Sequence, residues 1–301
     1  MKSNKVLVVI VGPTAVGKTA VAIRLAKRLN TVIISADSRQ IFRELNIGTA
    51  KPSAAELSEV PHYFINSHSI RDEYDAAAYG RDALQLLEQL HEKHDRVIMS
   101  GGSGLYIKAV CEGFDAIPDV DPGIRADLVD HYGRHGLEWL QKKMEELDPN
   151  LFATMDRLNP HRLIRALEVR IGTGQSIASF RKNARLSHTF DIIKIGLELP
   201  RDELYRRIDE RMDAMIAAGL FQEAESLYPM RHLNSLQTVG YQEIFDYLDG
   251  KYAYDEAIRL LKRNSRRYAK RQLTWFKRDH EIQWFHPLEV DDIMNEVTQI
   301  D

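Results

Sequence analysis

A chain of 301 residues that is 44% apolar and 28% charged has room for about two average domains, or one domain with a large insertion, and is too apolar to stay disordered. Lys and Arg number 41 against 44 Asp and Glu, a formal net charge of −3, so any nucleic-acid binding must come from a local basic patch. The single cysteine, Cys111, allows neither an intramolecular disulfide nor a thiolate-rich zinc site. The expected setting is therefore a reducing cytoplasm, and no segment reaches the length of apolar sequence that a membrane helix requires.

Val6 to Val11 is a continuous apolar run, β-branched at most positions, which predicts a strand buried on both faces of a parallel sheet. After the glycine-rich stretch from Gly12 to Thr19, Val21, Ala22, Leu25, Ala26 and Leu29 recur at helical spacing. Thr31 to Ser35 predicts a second strand, Asp75 to Lys93 an amphipathic helix, and Val97 to Ser100 a further strand running into Gly101-Gly102-Ser103-Gly104. Such alternation predicts βαβ units. From Asp121 to Asn183 only helical periodicity is found, in the segments Leu128 to Tyr132, Leu137 to Leu147 and Arg162 to Ile171. Ile192 to Leu197 then returns to a strand, and the remainder reads as helical: Asp202 to Ala218, Tyr241 to Leu248, and Ala253 to about Arg278. The expected fold is α/β, a P-loop-type parallel sheet flanked by helices, with residues 1–114 and 190–301 as core and 115–189 as an inserted all-helical domain.

Gly12-Pro13-Thr14-Ala15-Val16-Gly17-Lys18-Thr19 fits the phosphate-loop pattern G-x-x-x-x-G-K-[ST] in full, with a strand before it and a helix after. The loop's N–H groups and the helix N-terminus suit phosphate oxygens, Lys18 supplies a point charge, and the Thr19 hydroxyl is placed to ligate Mg²⁺. No strand runs directly into an aspartate in the manner of a Walker B segment, which argues against routine nucleotide hydrolysis. Asp37, just past the second strand, suits a general base, a magnesium ligand or a helix cap. Arg207 and Arg211 share a helix face, but Asp209 and Glu210 leave a salt-bridged solvent face as the plain alternative. From Arg259 to Arg278 nine basic residues occur with no acidic one among them, interleaved with Tyr268, Trp275 and Phe276. This is either an RNA-backbone footprint or a solvated helix. The histidines show no metal-ligand spacing.

Taken in order, these blocks resemble the bacterial tRNA dimethylallyltransferases, isopentenyltransferases that prenylate the adenine just 3′ of the anticodon. The resemblance is carried by the phosphate loop, Asp37-Ser38-Arg39-Gln40, Ile47 to Pro52, Gly101 to Tyr106, Asn159 to Glu168, Val239-Gly240-Tyr241 and Lys270-Arg271-Gln272. Ser103 stands where threonine is usual, Phe42 where tyrosine is, and Arg39 at a variable position.

The resemblance implies that the loop Gly12 to Thr19 and Arg211 hold the diphosphate of dimethylallyl diphosphate. Asp37, Thr14, Lys18 and Arg211 would be the catalytic residues, with Asp37 as general base and Thr19 holding Mg²⁺ as cofactor. It further implies tRNA contacts at Asp37, Ser38, Arg39, Gln40, Ser103 and Arg125. The segments His161-Arg162-Leu163-Ile164-Arg165 and Gln237-Thr238-Val239-Gly240-Tyr241-Gln242 complete that set, with the inserted domain across the anticodon stem. The expected partners are tRNA and dimethylallyl diphosphate, with a monomer as the default state. The competing readings are an adenylate isopentenyltransferase, a P-loop small-molecule kinase and a non-catalytic RNA-binding module.

Overall fold

The computed structural model describes residues 4–181 and 186–299, in two compact units. Residues 1–112 and 186–301 form one, and residues 113–185 the other. In chain order the elements begin with β1 (Val6–Val11), α1 (Lys18–Leu29), β2 (Ile33–Ser35), α2 (Ala54–Glu59), β3 (His62–Tyr63), α3 (Ala76–His91), β4 (Arg96–Gly101) and α4 (Gly104–Cys111). Then come α5 (Pro122–Leu147), α6 (Pro149–Thr154), α7 (Pro160–Thr173) and a 3₁₀ turn at Ile177–Phe180. The chain continues with β5 (Asp191–Leu197), α8 (Arg201–Ala217), α9 (Leu220–Leu227), α10 (Gln242–Leu248), α11 (Tyr254–Phe276), β6 (Gln283–Phe285) and α12 (Val290–Thr298).

The six strands form one parallel sheet in the order β3-β2-β4-β1-β5-β6. Alternation along β1 shows why its sequence is apolar throughout. Leu7, Val9 and Val11 face a layer that includes α3, α4, α9 and α10. Val6, Val8 and Ile10 face α1, α8 and α12. Every β1 side chain is therefore buried, each worth about 1.5–3 kcal/mol relative to exposure. Two elements the sequence did not announce, β3 and β6, are edge strands of two and three residues.

The helical unit has its own core of Leu128, Leu140, Met144, Phe152, Leu163 and Leu167. The segments predicted at Leu128 to Tyr132 and Leu137 to Leu147 belong to α5, interrupted at Gly136 with φ +74°. The chain leaves and re-enters the sheet unit at one place. The Leu186 N–H donates to the Glu112 carbonyl at 3.1 Å, and His188 donates to the Cys111 carbonyl at 2.9 Å. Residues 186–189, expected in the insertion, thus belong to the compact sheet unit.

Candidate active site

All parallel strands end on one side of the sheet, and the loops there build a cleft. The loop after β1 turns sharply at Gly12, φ +151°, where a Cβ would stand 2.7 Å from the Leu197 carbonyl of β5. Helix α1 starts at Lys18, so its first-turn N–H groups, which lack helical partners, lie beside the loop. Lys18 Nζ donates to the Gly12 and Pro13 carbonyls at 2.9 and 2.7 Å. Burial holds its pKa down to about 7, with the Arg211 charge adding to the effect and Asp37 opposing it. Gln272 of α11 braces the loop: its side-chain oxygen accepts from the Thr14 N–H at 2.8 Å and its amide donates to the Gly102 carbonyl at 2.9 Å.

Past β2, one Asp37 carboxylate oxygen accepts from the N–H groups of Arg39 and Gln40, at 2.9 and 3.3 Å. The cap reading thus describes one oxygen. The second has no hydrogen-bond partner among the described residues.

Thr14, Ala15, Asp37, Arg39 and Arg211 line the cleft, of about 710 Å³ including its open mouth. Gly48, Thr49, Thr238, Val239, Gly240 and Tyr268 line it too, with an apolar wall of Ile208, Met212 and Met215. Neither Arg39 nor Arg211 makes an ion pair among the described residues, and burial lowers both pKa values while Asp37 opposes. Arg206 and Arg207 do pair along α8, with Glu210 and Glu203. The solvent-face alternative therefore fits those two and not Arg211. Arg39 and Arg211 against one carboxylate, with Lys18 buried beside the loop, make a net cationic cleft, suited to an anion beside an apolar group.

The other residues singled out in the sequence divide. Val16 points into the core, so only its backbone faces the loop interior, and Thr19 is half-buried at the start of α1. The Ser103 hydroxyl accepts from the Ser38 N–H at 2.9 Å and donates to the Ser38 hydroxyl at 3.1 Å, bridging two strand-end loops. Gln40 donates to the Thr49 and Ala50 carbonyls, both at 3.2 Å. Gln237 and Gln242 bond locally, to the Arg231 carbonyl and Asp246.

Three expected contact residues have buried side chains. Tyr241 is fully buried, its ring beneath Gly48. Leu163 and Ile164 lie in the core of the helical unit, because the helical period of α7 turns them inward. On the same helix His161 and Arg162 are exposed, while Arg165 and Arg125 converge on the buried carboxylate of Glu168 at 3.2 and 3.0 Å.

The basic helix narrows as well. Arg259, Lys262, Arg266 and Lys277 are paired with Glu256, Asp213, Asp209 and Glu198. Sequence reasoning missed the apolar wall of α8 and the brace by Glu223 on α9. A carboxylate on an amphipathic helix carries no signal of the distant backbone it will hold.

Comparison with known proteins places this geometry. The family model described as IPP transferase matches residues 40–279. A protein named tRNA dimethylallyltransferase from Cytophaga hutchinsonii is 53% identical over 96% of this chain and 95% of its own. One of the same name from Christiangramia forsetii is 50% identical over 93% and 92%. The crystal structure of a tRNA isopentenylpyrophosphate transferase from Bacillus halodurans superposes with a TM-score of 0.72 at 40% identity, covering 97% of this chain and 95% of that one. On this evidence of sequence and fold, the chain belongs to the IPP transferase family.

Proposed function

We propose that the cleft transfers a dimethylallyl group from dimethylallyl diphosphate to the exocyclic amine of the adenine 3′-adjacent to the anticodon in tRNA, releasing diphosphate. One observation carries the reading. Lys18 and Arg211 gather at the phosphate-loop end, an apolar wall follows along α8, and a carboxylate with one unpartnered oxygen completes the cleft.

In this reaction the bond between the allylic carbon and the diphosphate oxygen breaks and a carbon–nitrogen bond forms. Asp37 takes the amine proton as that bond forms. Lys18, Arg211 and the loop N–H groups meet the charge that collects on the leaving diphosphate. Thr14 lines the cleft beside them. The unstacked adenine reaches Asp37 by leaving the anticodon-loop stack. Mg²⁺ fits this donor set through the Thr19 hydroxyl, which has no side-chain partner among the described residues, together with substrate phosphate oxygens. When bound it supplies charge neutralisation at the diphosphate.

In the helical unit, Arg125, His161, Arg162 and Arg165 supply contacts for the anticodon stem. The protein acts as a monomer in the cytoplasm. No helix among the described residues is long and apolar enough to cross a membrane.

The deciding experiment is nucleoside mass spectrometry on tRNA incubated with the protein and dimethylallyl diphosphate. The expected product is adenosine carrying one five-carbon allyl unit at the position beside the anticodon. Prenylation of free AMP in its place would assign the adenylate activity, and transfer of a labelled γ-phosphate would assign a kinase.

A further inference from the structure

Glu223 lies outside the cleft, yet its carboxylate gathers four hydrogen bonds. One oxygen accepts from the N–H groups of Asn46 and Ile47 at 3.0 and 2.9 Å. The other accepts from the Gly48 N–H at 2.9 Å and from the Tyr241 hydroxyl at 2.6 Å. Three successive amides turned onto one anion form a charge-assisted clamp, stronger than the same number of neutral bonds.

The two segments it joins are two walls of the cleft, which Gly48 and Thr49 line on one side and Thr238, Val239 and Gly240 on the other. Contact between them is tight. A Cβ on Gly48 would stand 2.5 Å from the Tyr241 ring, so the loop can approach only as glycine. The clamped loop is also tied to Asp37. Gln40 donates to the Thr49 and Ala50 carbonyls, and its own N–H is held by the Asp37 carboxylate. A continuous run of hydrogen bonds therefore leads from Asp37 through Gln40 and the 46–50 loop to Glu223 and Tyr241.

We propose that Glu223 is a positioning residue for the acceptor base: it fixes the spacing of the two loops between which the adenine enters, and through Gln40 the aim of Asp37. This rests on the prenyl-transfer reading above. The diphosphate end is held separately, by Gln272 and the glycine loop, so the two substrates should report differently on the loss of Glu223.

Glu223→Gln keeps the volume but turns an amide donor toward backbone donors. Its kcat/KM for an anticodon stem-loop RNA is expected to fall about 10- to 100-fold, the scale of a misplacement of order 1 Å. Dimethylallyl diphosphate binding, read by calorimetry, should stay within twofold. A lowered melting temperature with both substrate constants intact at a temperature where the variant is folded would reduce Glu223 to scaffold and overturn the proposal. Equal weakening of both substrates would overturn it too. Should this variant fail to fold, Tyr241→Phe decides, because it keeps the ring in place and removes the hydroxyl that donates to Glu223 at 2.6 Å. It is expected to lose about tenfold in kcat/KM for RNA alone, and unchanged RNA kinetics would overturn the assignment. The unaltered protein runs alongside. If it prenylates no RNA, the prenyl-transfer reading fails and not the role of Glu223.

Discussion

At the phosphate-loop end of the cleft, the ligand-facing groups are backbone amides, Lys18 and Arg211, set by the Gly12 turn, the start of α1 and one face of α8. At the acceptor end the backbone is held from behind by side-chain carboxylates. Glu223 grips residues 46–48, and Glu243 accepts from the Gly240 N–H at 2.8 Å while its other oxygen accepts from Asn264 at 2.7 Å. The first kind of construction is mainly local, since neighbouring residues set the turn of the loop and Gln272 of α11 only braces it. The second is remote, since a loop takes its position from a residue far along the chain. An end built the first way tolerates little variation within its motif. An end built the second way can be re-aimed by one substitution outside the cleft, which suits a surface that must discriminate among RNA sequences.

The largest effect that tests this contrast is expected at Asp37, where the two ends meet. Asp37→Asn keeps an oxygen to accept from Arg39 and Gln40, so the loop should stand and RNA affinity and melting temperature should hardly move. Losing the proton acceptor is expected to lower kcat about 10²- to 10⁴-fold. Steady-state kinetics beside stem-loop binding checks it, and near-native turnover would leave Asp37 as a cap alone.

Lys18→Met comes next, with an expected loss of about 10²- to 10³-fold in kcat/KM for dimethylallyl diphosphate. The pH behaviour of the unaltered protein follows from the same group. Lys18 titrates near 7 when folded against 10.5 ordinarily, so between those values the unfolded chain binds more protons and stability rises with pH. Below about 7 the ammonium is charged in both states, and its burial works against folding there. Lys18→Met should therefore melt higher at neutral pH even as it loses activity. A bound diphosphate restores the charge, so binding takes up a proton at higher pH. Affinity should be full below about pH 7 and fall by up to about tenfold per unit above it. Calorimetry in buffers of different ionisation heat reads the uptake directly, and none at about pH 8.5 would show that Lys18 keeps its proton.

A smaller change is expected for Gly48→Ala. The new methyl meets the Tyr241 ring, an overpacking cost of about 1–3 kcal/mol. Melting temperature and RNA turnover should drop together while diphosphate binding holds, and a drop in diphosphate binding would blur the distinction between the two ends. The least effect is expected on diphosphate binding when residues 113–185 are replaced by a short Gly/Ser linker. Glu112 and Leu186 already meet, so the sheet unit should fold and bind dimethylallyl diphosphate within about twofold while RNA affinity falls. An unfolded product, read by circular dichroism, would show that the helical unit is required by the sheet.

The same contrast explains what could be read from the chain. The β1–loop–α1 unit was legible because glycines, lysine and strand apolarity lie within two dozen residues and act through local backbone geometry. The edge strands were not, since β3 and β6 are two and three residues long and exist only by pairing with β2 and β5. Arg211 was legible as one of a pair with Arg207, but only the structure showed which of the two lacks an acidic partner. That Leu163 and Ile164, two residues of the expected contact segment, would lie in a core could not be read from the motif as a block. A helix presents only every third or fourth residue to one side, and α7 gives those two to its core. Glu223 left no trace at all, because its partners are backbone amides, which no residue type records.

The meeting of Glu112 and Leu186 has a consequence for the order in which the chain assembles. Strand β5 must find β1, its neighbour in the sheet, across the whole excursion of the insertion. Closing a flexible loop costs entropy that grows with the logarithm of its length, about 0.6 kcal/mol for each doubling. The helical unit is built from contacts close in sequence, the kind that form early. Once it is folded, β5 follows α4 as if only a short turn joined Glu112 to Leu186, and the closure left to make is the one across the sheet unit's own elements between β1 and α4. Early folding of the insertion thereby cancels the extra closure entropy that its own length would add to the pairing of β5 with β1.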